Sequence, residues 1–284
     1  MLKYRLPSGL FMGAVILSAI FIDGDTGKYI FLAFGIFLAF AGVYEYLKMV
    51  EKFGVPSLPI LTAAVGSSIL AASVLLEHPN IFYSAVLTVV VIAGWIHLML
   101  AENKADALKK NLSSFSALPM MVFPLNFLAL IYVMDNGSNE GRIYFLFMLL
   151  VTKFGDIGAY TVGTISSKIM PGGNHKIIPK ISPKKSWEGT LGGMFISILV
   201  SYIFCYYVPG LISDFGKIFP LIAGFILFWG GFIGDLVESS LKRTAGVKDS
   251  GNMIPGMGGA LDVIDSLVLN APIFYFFLII AGGK

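Results

Sequence analysis

Charge is scarce in this chain. Asp, Glu, Lys and Arg make up 13% of its 284 residues, against about 25% in an ordinary soluble domain. That shortage excludes a solvated globular surface of the usual composition. Cysteine is nearly absent, and the one thiol, Cys205, lies inside an apolar run. It excludes an intrachain disulfide and leaves the redox compartment unspecified. The formal net charge of +3 is too small to point to nucleic acid as a partner. The sequence has no low-complexity tract, no evident repeat and no stretch that reads as a separate soluble domain.

What fills the chain is apolar. Hydrophobic residues are 56% of the total, and the mean hydropathy is +0.82. A spanning helix needs roughly 20 apolar residues, because lipid offers its backbone no hydrogen-bond partners. Nine runs read as spans, at about 8–22, 29–47, 57–76, 81–101, 116–134, 143–163, 189–209, 218–236 and 264–281. The expected fold is all-α, a polytopic transmembrane bundle of about nine spans. The 32 glycines suit close helix packing in a membrane. Met-Leu-Lys-Tyr-Arg leads into the first run with no small-residue cleavage site, which predicts a retained span rather than a signal peptide.

The connections alternate in charge. One set holds fifteen cations: Lys3, Arg5, Lys48, Lys52, Lys104, Lys109, Lys110, Lys168, Lys176, Lys180, Lys184, Lys185, Lys242, Arg243 and Lys248. The other holds Lys28, Arg142, Lys217 and Lys284, and Lys153 lies within the sixth run. Basic residues are retained on the cytoplasmic side. The pattern predicts a cytoplasmic N-terminus, an outer C-terminus and an odd number of spans. The outer connections (23–28, 77–80, 135–142, 210–217) are short. The longest inner ones, 164–188 and 237–263, hold most of the unusual residues. By content, the chain divides into motif-poor spans at 1–140 and a motif-bearing region at 141–284, within one integral membrane unit.

Three constellations stand out. The first is Gly155-Asp156-Ile157-Gly158-Ala159-Tyr160-Thr161-Val162-Gly163. Lys153 and Asp156 are three apart and share a helix face. A charge within a membrane is costly and usually faces protein or water. The pair is open to two readings, a self-neutralising ion pair or a polar wall of a functional cavity. The second runs from His175 to Gly189 and includes Ser182, Lys184, Lys185, Ser186 and Glu188. Its lysines could serve only to attract anionic headgroups, but the prolines and the Ser186–Glu188 stretch suggest an ordered loop. Ser186 is placed to cap the seventh run, with Gly189, Gly192 and Gly193 allowing close contact. A helix N-terminus beside Lys184 and Lys185 would also suit a phosphate.

The third constellation spans Gly234 to Asp265. Asp235 and Glu238 close the eighth run three residues apart, and Asp262 and Asp265 open the ninth with the same spacing. Two carboxylate pairs at adjacent helix ends make a hard-oxygen site that suits Mg²⁺. Lys242, Arg243 and Lys248 lie between them, the usual company of phosphate substrates. The turn Gly256-Met257-Gly258-Gly259 lets backbone N–H groups approach an anion.

At these residues the chain resembles the phosphatidate cytidylyltransferase family, also called the CDP-diglyceride synthases. The family's signature Ser-x-x-Lys-Arg-x4-Lys-Asp, then Pro-Gly-His-Gly-Gly-x-x-Asp-Arg-x-Asp, matches at Ser239, Lys242, Arg243, Lys248, Asp249, Pro255, Gly256, Gly258, Gly259, Asp262 and Asp265. Ile181 to Gly189 is similar to its Ile-Ser-Pro-Lys-Lys-(Ser/Thr)-x-Glu-Gly. Gly155 to Gly163 is similar to its Gly-Asp-x-x-Ala-Tyr-x-x-Gly. The resemblance covers about residues 150–270 in order and spacing. It departs at two positions, where Met257 replaces the family's His and Val263 its Arg.

The resemblance implies transfer of CMP from CTP to phosphatidate, giving CDP-diacylglycerol and pyrophosphate, with Mg²⁺ as cofactor. The two substrates carry roughly −5 to −6 of charge together, so lowering their repulsion is the main task. A phosphatidate oxygen is already anionic near pH 7, so the missing His does not remove a needed base. On this reading Asp235, Asp262 and Asp265 bind metal, with Asp249 a further candidate. Lys242, Arg243, Lys248, Lys184 and Lys185 neutralise phosphates, and Ser182 and Ser239 donate hydrogen bonds. Glu188, Gly258, Gly259 and Asp156 complete the substrate-binding set. The resemblance further implies a bacterial inner-membrane protein whose site faces the cytoplasm, and it leaves a homo-oligomer open. Two other readings stay open. One is a CTP-dependent transferase for an ether-lipid or polyprenol phosphate, and the other is a cation transporter. The second is disfavoured because the charges lie at one face rather than near the midplane.

Overall fold

The computed structural model describes residues 2–134 and 140–282, with backbone only for Leu2, Lys3 and residues 212–214. Most of the 135–142 connection, the Lys3 side chain and Lys284 therefore lie outside the described residues. Eleven α-helices follow in order: α1 (Leu2–Phe21), α2 (Asp25–Lys52), α3 (Pro59–Leu75), α4 (Pro79–Leu100), α5 (Lys104–Ala117), α6 (Phe123–Tyr132), α7 (Glu140–Ile169), α8 (Trp187–Tyr207), α9 (Gly210–Phe215), α10 (Phe219–Thr244) and α11 (Ala260–Ala281). A π-helical turn at Leu118–Val122 joins α5 to α6, so that 104–132 is one continuous rod. Pro119 within that turn has no N–H to give, and the wider turn accommodates it. Among the described residues there is no strand, only isolated bridges pairing Lys176 with Ser186 and Ile254 with Gly258.

Among the described residues, eight helices are long and apolar enough to cross a membrane, counting 104–132 as one. The run at 57–76 is α3, which has 17 residues and is the shorter apolar helix. It rises about 25 Å at 1.5 Å per residue, against a hydrocarbon core of about 30 Å.

Some helices outrun their apolar segments, α7 and α10 among them. α7 has 30 residues and α10 has 26, so at that rise both exceed the hydrocarbon thickness. Hydropathy marks where lipid ends, whereas the ladder of i→i−4 hydrogen bonds can continue into the interface. Ser239, Lys242 and Arg243, expected in a loop, are therefore helical. The two cations in the last turn of α10 complement its C-terminal dipole.

The chain forms two compact units. One comprises Met1–Val133 and Leu241–Ile264, the other Met134–Ser240 and Asp265–Lys284. In the first, the core includes Val43, Leu47, Met49, Ala63, Met121 and Ile131. Gly42 and Gly66 let side chains approach α2 and α3. A Cβ at Gly42 would lie 2.9 Å from Ile264, and one at Gly66 would lie 2.9 Å from Val122. Tyr132 stacks on Phe31 with 3.8 Å between ring centroids, and its hydroxyl donates to the Ala19 carbonyl at 2.6 Å.

In the second unit, Phe147 is fully buried and packs on Phe204, Phe219 and Phe274. The buried Asn270 amide donates to Thr152 Oγ1 at 2.8 Å and to the Leu227 carbonyl at 2.7 Å, tying α11 to α7 and α10. Such polar ties are worth about 0.6–2 kcal/mol each within a membrane.

The glycines of the first two constellations pack α7 against α8. A Cβ at Gly158 would lie 2.8 Å from Ile196. One at Gly193 would lie 2.7 Å from both Ala159 and Phe228 and 2.8 Å from the Gly155 carbonyl. Replacing Gly193 by Leu should therefore part α7 and α8 and destabilise the protein by about 1–3 kcal/mol or more. Thermal unfolding in detergent should show a clearly lowered midpoint. An unchanged midpoint would mean that the two helices do not meet there.

Candidate active site

The second unit gathers three carboxylates. Asp235 and Glu238 come from the C-terminal part of α10, and Asp265 comes from the second turn of α11. Each offers one oxygen, and these oxygens all lie within 4.8 Å of one another. Glycine makes the meeting possible, because a Cβ at Gly234 would lie 2.5 Å from the Asp265 carbonyl oxygen. At Gly230 a Cβ would lie 2.1 Å from Asn270. With no side chain at Gly234, α10 meets the α11 backbone, and the missing side chain at Gly230 admits that of Asn270. Glu238 is only 4% exposed. Three carboxylates form an all-oxygen donor set, which suits Mg²⁺. Asp235, Glu238 and Asp265 would be the residues to hold such an ion.

Cations flank the cluster. Lys185 places its Nζ 2.9 Å from Asp235 Oδ2, donates to the Phe232 carbonyl at 3.1 Å and sits 4.0 Å above the Phe232 ring. Ser239 Oγ donates to Asp235 Oδ1 at 3.2 Å. Lys153 donates to Ser266 Oγ at 2.9 Å, and that hydroxyl donates to Asp156 Oδ2 at 3.2 Å. Lys153 and Asp156 are themselves 3.8 Å apart. The pair on α7 is thus partly self-neutralising, and it is bound through Ser266 to the residue next to Asp265.

The loop before α8 is ordered by its own polar groups. Ser186 caps α8 by accepting from Gly189 N–H at 3.2 Å, and it also accepts from the Asn174 amide at 3.0 Å. Glu188 turns back to His175, with 2.6 Å to Nδ1 and 3.2 Å to the backbone N–H. The Trp187 N–H donates to the His175 carbonyl. This N-terminus is therefore capped from within, and Glu188 serves the loop. Ser182 lies in the turn, where its carbonyl accepts from Lys185 N–H. Lys184 is exposed.

The first unit holds the remainder of the signature. Lys242 Nζ lies 2.6 Å from Asp262 Oδ1, with side chains only 12% and 9% exposed. Asp262 Oδ2 accepts from Gly259 N–H at 2.7 Å, Ser250 N–H at 2.9 Å and Ser250 Oγ at 2.9 Å. Asp262, expected among the metal ligands, is thus bound to Lys242 and the loop, while Glu238 stands with Asp235 and Asp265. The Gly258 N–H donates to the Ile254 carbonyl. The amides of Gly258 and Gly259 are therefore engaged inside the loop. Gly258 has φ +103°, and a Cβ there would lie 2.5 Å from Asp262 Oδ2. Glycine here admits the carboxylate. Arg243, Lys248 and Asp249 are exposed.

Several polar partners escaped the sequence reading. Arg5 Nε donates to the Gly256 carbonyl at 3.1 Å, and Ser8 Oγ to the Pro255 carbonyl at 2.9 Å. Glu45, 3% exposed on α2, accepts from Ser250 Oγ and Leu261 N–H. A glutamate within the apolar run 29–47 was a readable signal, since burying an ion there is costly. Arg5 and Ser8 gave no such signal. The two departures from the signature share one surroundings: Met257 and Val263 both pack against the cluster of Ala41, Ile254 and Ala260.

The phosphatidate cytidylyltransferase of Staphylococcus aureus (strain COL) is 33% identical over 257 residues, covering 89% of this chain and 91% of that one. That of Staphylococcus saprophyticus is 38% identical over 174 residues, 61% of this chain and 63% of the relative. The uncharacterized protein YnbB of Escherichia coli (strain K12) is 37% identical over 160 residues, and the match spans 56% of this chain and half of YnbB. The profile of the cytidylyltransferase family matches residues 3–281. From its first helix to its last, then, this chain belongs to the cytidylyltransferase family.

Proposed function

We propose that this protein transfers CMP from CTP to phosphatidate, forming CDP-diacylglycerol and releasing pyrophosphate. The observation that carries the reading is the meeting of Asp235, Glu238 and Asp265 beside Lys185, in a chain that matches a phosphatidate cytidylyltransferase over nine tenths of its length. Mg²⁺ held by the three carboxylates would neutralise phosphate oxygens and orient the triphosphate.

The chain's own groups do the rest. A phosphatidate oxygen, already ionised near pH 7, attacks the α-phosphorus of CTP. The bond from that phosphorus to the bridging oxygen breaks, and pyrophosphate leaves with the electron pair. No side chain need remove a proton, which fits Met257 at the family's His position. Lys185 and Lys242 are oriented by Asp235 and Asp262, so each presents its charge without first losing side-chain freedom. Arg243, Lys248 and Lys184 are exposed and supply further positive charge to CTP.

The cationic connections support a cytoplasmic N-terminus. With α3 counted as a short span, nine spans place the C-terminus outside and the inner ends of α7, α10 and α11 at the cytoplasmic face. There the site is open to CTP, while the acyl chains of the lipid stay in the inner leaflet of a bacterial cell membrane.

Purified protein with Mg²⁺ should release pyrophosphate from CTP only when phosphatidate is present. Preference for an ether-lipid or polyprenol phosphate in the same assay would move the substrate assignment, and no release with any lipid would sink the transferase reading. Asp235→Asn and Asp265→Asn should each lose about 100-fold or more in turnover while folding normally. Lys168→Ala, outside the cluster on the last turn of α7, should stay within about twofold. Equal damage at Lys168 would show that general loop charge is being measured.

Glu238→Gln tests the third ligand. It should raise the Mg²⁺ concentration for half-maximal activity about 10-fold or more. A wild-type Mg²⁺ dependence would remove Glu238 from the metal's shell.

A further inference from the structure

We infer that Glu45, near the end of the apolar run of α2 and far in sequence from the signature, is a positioning residue that sets the Asp262–Lys242 pair for the transfer reaction. This deepens the proposed function and rests on it.

The contacts run in series. Glu45 Oε2 accepts from Ser250 Oγ at 2.9 Å and from Leu261 N–H at 3.0 Å. These partners sit at opposite ends of the glycine-rich loop. Ser250 in turn donates to Asp262 Oδ2 through both its backbone N–H and its hydroxyl. Leu261 is the neighbour of Asp262 in the first turn of α11. Asp262 then holds Lys242 at 2.6 Å. A shift of the Glu45 carboxylate therefore moves both anchors of Asp262, and through Asp262 it moves the Lys242 ammonium.

The loop is shaped around that carboxylate. A Cβ at Gly251 would lie 2.3 Å from Glu45 Oε1, and one at Gly259 would lie 2.2 Å from Oε2. Two backbone segments thus close on the carboxylate at a distance no side chain allows. Burying a carboxylate is unfavourable without strong acceptor bonds, so a residue kept only for packing would not be Glu. Docking of the loop does not need it either. Ile254 and Ala260 already pack on Ala41, and Arg5 and Ser8 hold residues 255 and 256. What Glu45 adds is direction. It fixes which way Ser250 and the first turn of α11 face.

Amide hydrogen exchange and steady-state kinetics on the full-length protein in detergent test the inference together. In Glu45→Ala, exchange at Leu261, whose N–H donates to Glu45, should quicken by about 10-fold or more, as expected when a charged acceptor is removed. Turnover per folded molecule should fall about 10- to 100-fold, with the Mg²⁺ dependence as in the wild type. Glu45→Gln keeps an acceptor oxygen and should restore turnover to within about threefold. Should Glu45→Ala fail to fold, Ser250→Ala breaks the same series without touching α2, and its turnover should drop by about 10-fold.

The positioning role is overturned if exchange at Leu261 is unchanged, or if it quickens while turnover per folded molecule does not fall. A Gln variant as damaged as the Ala variant also overturns it, since charge and not the acceptor would then matter. A wild type that releases no pyrophosphate is a different failure, that of the transferase reading itself.

Discussion

Backbone contact between α10 and α11 is the constraint on which the carboxylate cluster depends. At Gly234 the space where a Cβ would stand is taken by the Asp265 carbonyl, so Asp235 and Asp265 meet only because the residue before Asp235 has no side chain. In lipid the drive to associate comes from such close packing rather than from the hydrophobic effect. The same glycines that hold the helices together therefore set the spacing of the chemistry. The ionic groups are placed by steric fit before any charge attracts another.

Several of the charges have a partner of opposite sign or hydrogen-bond donors. Lys185 lies on Asp235, Lys242 on Asp262, Lys153 near Asp156 through Ser266, and Glu45 takes donors from the loop. A low-dielectric setting makes unpaired charge prohibitive. Within each unit, pairing the lysine with a carboxylate satisfies both charges and holds the ammonium in one orientation.

Much of this was legible in the sequence. Apolar length located the long helices, and the spacing of Asp235 with Glu238 and of Asp262 with Asp265 marked the acidic helix ends, three of whose carboxylates meet. Ser186 was readable as a cap from its place before the seventh run. What was not legible has physical causes. Hydropathy could not tell that α10 continues to Thr244, because a helix leaving lipid keeps its hydrogen bonds while its side chains turn polar. Spacing could not assign partners among four acids at two helix ends. Which of them faces Lys242 depends on the fold of the 249–259 loop. Residues in α1 and α2 reach that loop from more than two hundred positions away, and no local pattern encodes such a contact.

Met257 and Val263 lean on the same apolar cluster of Ala41, Ile254 and Ala260, so the two departures from the family's signature share one surroundings. A polar side chain at either place would be set against aliphatic groups and would need a hydrogen-bond partner there. With Met and Val at these positions the contact is apolar, and the glycine-rich loop is anchored on α2 by grease as well as by the Glu45 carboxylate.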